Sequence, residues 1–136
     1  FNKRGVEVIG VSIDSHFSHN AWRNTPINEG GIGPVKYTLA ADMTHQICKA
    51  YDVESEGGMA YRGSFLIDEA GDVRHQVVND LPLGRNVDEM LRMVDALAFH
   101  QEHGEVCPAG WKEGDKGMVD SPDGVAAYLS EHADKL

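Results

Sequence analysis

The stretch Val6-Glu7-Val8-Ile9-Gly10-Val11-Ser12-Ile13 constrains the fold of this chain more than any other. It is nearly continuous in apolar, β-branched residues. A run of that kind fits a strand buried inside a parallel sheet better than a half-exposed one, which would alternate. Asp14-Ser15 ends it. Ser15 or Ser18 can cap a short helix through Trp22 and Arg23. Thr25-Pro26 closes that helix, because a residue before proline is pushed out of helical geometry.

The following segment, Asn28 to Pro34, reads as a loop. Three glycines and two prolines within the nine positions from Pro26 to Pro34 cannot hold regular structure. A second strand is expected over Lys36–Ala40. A short helix follows to about Tyr51, capped by Asp42 or Thr44. Ser64–Ile67 and Val73–Val78 read as strands joined by the glycine-containing hairpin loop Asp68–Asp72. The clearest helix runs from Val87 to about Glu102, with Asn86 and Glu89 as a capping-box pair and Gly104 as C-cap. Its expected apolar face is Val87, Met90, Leu91, Val94, Leu97 and Ala98. A last amphipathic stretch covers Pro122 to about Glu131, with Val125, Tyr128 and Leu129 on one side. The order predicts a mixed α/β architecture with a parallel part and an antiparallel edge.

Composition narrows the function classes. Twelve basic against 22 acidic residues give a formal charge of −10. That argues against nucleic acid and against anionic membranes, both of which need a cationic face. No apolar run approaches the roughly 18 residues of a membrane span, and no signal peptide is visible. Two cysteines are too few for a secreted disulfide scaffold, so a cytoplasmic location with thiols used for chemistry is the expectation. The chain opens on Phe1 and reaches a strong strand signal at Val6. It is therefore read as entering the middle of a fold, a fragment or processed form.

The two cysteines differ. Cys48, on a short helix beside Ile47 and Tyr51, reads as a small buried hydrophobe. Cys107 lies beyond a capped helix, is followed by Pro108 and sits on a segment without periodicity, where chemistry outweighs accident. Glu102 and Glu105 nearby raise a thiol pKa. Cys107 is thus a poor primary nucleophile, but it can condense with a sulfenic acid formed elsewhere to give a disulfide.

Other candidates are weaker. Gly30-Gly31-Ile32-Gly33 is not a dinucleotide fingerprint, and a flexible or gating loop is its better reading. His16 and His19 share a helical spacing, but no further ligand falls at zinc-site spacing near them; no metal and no cofactor is expected. His100 and His103 suit a helix C-terminus. Arg62 opens a strand, where function often gathers in α/β folds, and Arg85 before the helix cap invites the same question.

Five segments together resemble the typical two-cysteine peroxiredoxins, including the peroxidase subunit of bacterial alkyl hydroperoxide reductase. They are VIGVSIDSHFSHNAW (8–22), GGIG (30–33), YRGSFLID (61–68), VNDLPLGRNVDE (78–89) and HGEVCPAGW (103–111). The resemblance implies a thioredoxin-like α/β fold, incomplete at its N-terminus. Residues 1–104 would form the peroxiredoxin domain and 105–136 a C-terminal arm. It implies reduction of hydrogen peroxide, organic hydroperoxides or peroxynitrite through a cysteine sulfenic acid. Cys107 stands in the resolving position and would form an intersubunit disulfide. Arg62 matches the arginine that activates the peroxidatic cysteine, which itself would lie upstream of Phe1. Val73, Arg74, His75, Gln76, Val77 and Val78 match the edge strand that pairs across a homodimer, and a ring of five dimers is implied. Thioredoxin or a dedicated flavoprotein disulfide reductase would be the redox partner. Gly30, Gly31, Ile32 and Gly33 match a loop that governs overoxidation together with a tail Tyr-Phe pair. Here the tail reads Tyr128-Leu129, which implies intermediate sensitivity. Two other readings stand beside this one: a holdase chaperone built from peroxiredoxin rings, and a thioredoxin-like disulfide oxidoreductase, against which the lack of any C-x-x-C pair counts.

Overall fold

The computed structural model describes all 136 residues. Its elements run β1 (Ile9–Ser12), α1 (His16–Asn24), β2 (Thr38–Ala41), α2 (Gln46–Ala50), β3 (Arg62–Ile67), β4 (Val73–Asn79), α3 (Val87–His103) and α4 (Pro122–His132), with three short 3-10 turns. β1 and β2 form one two-stranded sheet and β3 and β4 another. The chain divides into two compact units: residues 1–64 with 77–85, and residues 65–76 with 86–136.

In the first unit β1 pairs with β2 in parallel, with Ile9 opposite Thr38 and Ser12 opposite Ala41. The parallel pairing agrees with the apolar run, but its burial does not. Ile9 and Val11 are 58% and 44% exposed. The strand also starts at Ile9, not Val6. Its inward side carries Gly10 and Ser12, so the β-branched residues point away from the packed face. Ser15 caps α1 by accepting from Ser18 N–H. Thr25, in extended geometry before Pro26, ends it. The buried residues of this unit are His19, Gly33, Asp42, Cys48 and Val53.

A 3-10 turn, Ile27–Glu29, runs into the expected loop over Asn28–Pro34 and is closed by Gly30 in left-handed geometry. The segment is folded back on the end of α1 and is not loose. Ile32 N–H donates to the Trp22 carbonyl, Gly31 N–H to Pro26 and Gly33 N–H to Thr25. A Cβ on Gly31 would lie 2.0 Å from the Thr25 carbonyl oxygen, so only glycine fits there.

In the second unit α3 carries the core. Asn86 caps it by accepting from Glu89 N–H, and Gly104 closes it at φ 69° with its N–H on the His100 carbonyl. The reciprocal half of the expected capping box is not made; the Glu89 carboxylate turns to Arg92 instead. The buried face is centred on Val94 and Ala96, with Ala98 exposed and Val87 54% exposed. Leu66 and Trp111 complete the buried set. The Trp111 ring packs at 4.8 Å, centroid to centroid, from Phe99. The β3–β4 turn is tied by Asp68, whose carboxylate accepts from Ala70 N–H and Asp72 N–H and pairs with Arg74.

Candidate active site: a half-buried thiol and its arginine

Beyond the C-cap of α3 the chain turns back along that helix. Val106 and Met118 make an antiparallel bridge through two backbone hydrogen bonds. Between them lies Cys107-Pro108-Ala109-Gly110-Trp111, anchored at its far end by the buried Trp111 ring. The indole N–H of Trp111 donates to the Asp115 carbonyl. His100 reaches the Glu105 carbonyl at 2.8 Å, which fixes the near end.

Arg92 fastens the segment from the helix side. It holds Glu89 through Nε and Nη2 at 2.6 and 2.7 Å, a bidentate pair. Its Nη1 donates to the Trp111 carbonyl at 2.6 Å. The Glu89 partnership lifts Arg92 above its ordinary value, and Arg92 holds the Glu89 carboxyl below its own.

Cys107 is half-buried, with Sγ 3.5 Å from the Ala96 carbonyl. Burial pushes its thiol up, and the Arg92 guanidinium opposes that rise. The direction agrees with the reading from sequence, but the cause is burial and not Glu102 and Glu105. The thiol opens onto a cavity of about 250 Å³ whose lining includes Leu66, Met93, Leu97, His100 and Val106. Such a thiol is guarded, not inert. Its charged neighbour is the Arg92 guanidinium, and it lines the cavity.

Arg62 and Arg85 belong to the first unit. Arg62 is exposed, and its Nε donates to the Leu81 carbonyl at 3.1 Å. Arg85 donates twice to the Gly63 carbonyl, at 3.2 Å each. Arg85 thereby braces the strand residue next to Arg62. Arg85, like Arg62, is exposed. Of the glycine-loop and tail candidates, Gly30–Gly33 lie in the first unit and Tyr128 and Leu129 in the second. His16 and His19 do not form a ligand pair. His19 is buried with Nε2 on Ser12 Oγ, while His16 is exposed. Cys48 is buried, as expected for a small core residue.

Arg92 was missed from sequence. Its only signal was the Glu89–Arg92 spacing of three on one helix face, which is common on solvated surfaces.

Two family models match the chain: the AhpC/TSA family over residues 1–76, and the C-terminal domain of 1-Cys peroxiredoxin over residues 96–131, a span that holds Cys107. The alkyl hydroperoxide reductase C of Helicobacter pylori (strain J99 / ATCC 700824) is 60% identical over 136 residues, all of this chain and 69% of that protein. The chain belongs to the AhpC/TSA family. Relatives within AhpC/TSA extend to mammals. Peroxiredoxin-2 of Mus musculus is 51% identical over 133 residues, 97% of this chain and 67% of that protein. Among solved structures, the reduced Plasmodium vivax 2-Cys peroxiredoxin superposes with a TM-score of 0.93 at 47% identity, over 96% of this chain and 67% of that one. The fold is therefore thioredoxin-like, and the AhpC/TSA relatives are thiol-dependent peroxidases. One related chain, a Plasmodium yoelii peroxiredoxin modified at its N-terminus, is described as forming an artifactual octamer. No helix of the structure is long and apolar enough to cross a membrane.

Proposed function

We propose that Cys107 is the resolving thiol of an AhpC/TSA peroxidase acting on hydrogen peroxide and organic hydroperoxides. The observation that carries this is the setting of Cys107 itself: half-buried, outside regular structure, beside Arg92 and at the edge of a cavity. A peroxidatic thiolate attacks the peroxide, releasing the alcohol or water and becoming a sulfenic acid. Cys107 then attacks that sulfenic sulfur on a partner subunit. The sulfur–sulfur bond forms, the Cys107 proton leaves with the hydroxyl as water, and the disulfide awaits two electrons. Thioredoxin or a dedicated flavoprotein reductase supplies them. Arg62, steadied by Arg85 through the neighbouring Gly63, favours the peroxidatic thiolate and the charge developing on the peroxide.

The homodimer in this proposal forms along β4, from Val73 to Val78. β4 has only β3 beside it, and an unpaired edge favours self-pairing. A ring of five such dimers is the proposed assembly, and residues 105–136 act as a C-terminal arm. The pinned Gly30–Gly33 turn and the Tyr128-Leu129 tail set an intermediate sensitivity to overoxidation.

The test is the protein that carries the peroxidatic cysteine as well as Cys107, oxidised with peroxide and run on a non-reducing gel. Wild type should run as a covalent dimer, and Cys107→Ser as a monomer that no longer turns over with reductant. A covalent dimer that persists in Cys107→Ser would remove the resolving role. Neither cysteine of the 136-residue chain is an activated nucleophile, since burial raises both thiols. Stopped-flow mixing of this chain alone with hydrogen peroxide should therefore show no rapid turnover.

A further inference from the structure

We propose that His45, Cys48 and Glu54 form a binding site for a zinc-type divalent cation. The three residues come together for local reasons. The Asp42 carboxylate accepts from Ile47 N–H at 3.0 Å and from Cys48 N–H at 2.8 Å, which fixes the first turn of α2. His45 immediately precedes that turn and Cys48 sits three residues on, so both project from one end of a short helix. The chain leaves α2 through Tyr51, and Glu54 returns in an antiparallel bridge with Ala60. The result brings His45 Nδ1, the Cys48 sulfur and a Glu54 carboxylate oxygen within 4.8 Å of one another.

The chemistry of this donor set points to zinc. One imidazole, one thiolate and one carboxylate are borderline-soft ligands, and three protein donors with a fourth position for water suit a tetrahedral ion. Metal–ligand lengths of about 2.0–2.3 Å put the donors of such a site roughly 3–4 Å apart. The donor atoms here all lie within 4.8 Å of one another. His45 Nδ1 and Glu54 Oε1 already touch at 2.5 Å and would open slightly, while the sulfur would close in.

Charge supports a cation as well. A Cys48 thiolate and the Glu54 carboxylate would neutralise a divalent ion, and the Asp42 carboxylate stands close enough to act on Cys48. Lys49 opposes it, 3.9 Å from Glu54, on a side chain 64% exposed that can swing outward. Burial, with Asp42 and Glu54 added to it, holds Cys48 as a thiol. A bound dication reverses that balance: the metal–sulfur bond forms and the thiol proton passes to solvent. The ion would then clamp α2 to the Glu54–Ala60 bridge.

The probe is Co²⁺, titrated into the 136-residue chain carrying Cys107→Ser, so that Cys48 is its only thiol. The expected result is one cobalt per chain with a thiolate-to-metal charge-transfer band, displaced by Zn²⁺. The band should vanish with Cys48→Ser added. Affinity should fall at least about tenfold with His45→Gln or Glu54→Gln, which alter partly exposed side chains and leave the fold intact. Added Zn²⁺ should also raise the thermal midpoint of the Cys107→Ser chain and not that of the Glu54→Gln form. No charge-transfer band in the Cys107→Ser chain would overturn the proposal. So would a band that survives Cys48→Ser, or an affinity unchanged by both His45→Gln and Glu54→Gln.

Discussion

Cys48 and Cys107 are both held as thiols by burial, yet their surroundings have opposite sign. Around Cys48 the nearby charges are the Asp42 and Glu54 carboxylates, which add to the effect of burial. Beside Cys107 the nearby charge is the Arg92 guanidinium, which opposes it. The supports differ too. Cys48 sits on a helix whose first turn is fixed by Asp42, deep in its unit. Cys107 sits on an irregular segment tied down by a buried tryptophan, an arginine and a two-residue bridge. The contrast shows that exposure alone does not assign a thiol its chemistry. A thiol poised to attack needs a cation beside it and a backbone that can yield.

The largest expected effect comes from removing the anchor of the Cys107 segment. Trp111 is 3% exposed and packs on Phe99. Trp111→Ala should cost about 3–5 kcal/mol in stability, read from the urea unfolding midpoint. Short of unfolding, it should loosen the segment and speed alkylation of Cys107 while leaving Cys48 unaffected. Equal acceleration at both thiols would mean that the two environments are not independent.

The next effect is kinetic. In the native protein, iodoacetamide should modify Cys107 at least ~100-fold faster than Cys48, because Cys48 reacts only when its unit opens. Arg92→Gln should slow Cys107 severalfold at neutral pH and move its alkylation profile to higher pH, since the opposing cation is gone. Mass spectrometry of tryptic peptides reads both sites in one sample. An unshifted profile in Arg92→Gln would confine Arg92 to a packing role.

A smaller, thermodynamic effect separates the two as well. Cys48→Ala should cost about 1–2 kcal/mol as a small buried deletion, and Cys107→Ala less than about 1 kcal/mol. The reverse order would break the picture of Cys48 as the packed thiol and Cys107 as the accessible one.

Much of this contrast could be read from residue order. Ser15, Asn86 and Gly104 announce their helix ends, and the structure places each at the cap its residue type favours. The hairpin over Asp68–Asp72 was equally legible. What failed was burial. The run at Val6–Ile13 looked like a strand covered on both faces, yet periodicity reports which residues are apolar and not which face is covered. The helix cap at Asp42 was named from sequence, but it acts from four residues before α2, because His45 at the N-cap position is left-handed and caps nothing with its side chain. Arg92 and the His45–Cys48–Glu54 cluster were invisible for a different reason. Each depends on a chain reversal that brings residues from separate segments together, and no local pattern encodes that return. The spacing of three between His45 and Cys48 is a common helical interval and by itself points to no metal.

The smallest effect tests whether the Glu89–Arg92 pair matters beyond positioning. Arg92 holds the Glu89 carboxyl below its ordinary value, outweighing the rise from burial. A carboxyl lowered in the folded state stabilises the fold above its unfolded value of about 4.3, and that contribution is lost as pH falls through the lower folded value. Both side chains are partly exposed, 29% for Arg92 and 37% for Glu89, so solvent screens the pair and about 0.5 kcal/mol is expected. Glu89→Gln should therefore lie about that far below wild type at pH 7, and the two should converge at pH 3 in urea titrations. Arg92 keeps its bond to the Trp111 carbonyl in that variant, so Cys107 alkylation should change little. A large change in alkylation with Glu89→Gln would mean that the carboxylate, by holding the guanidinium in place, controls how much of its charge the thiol feels.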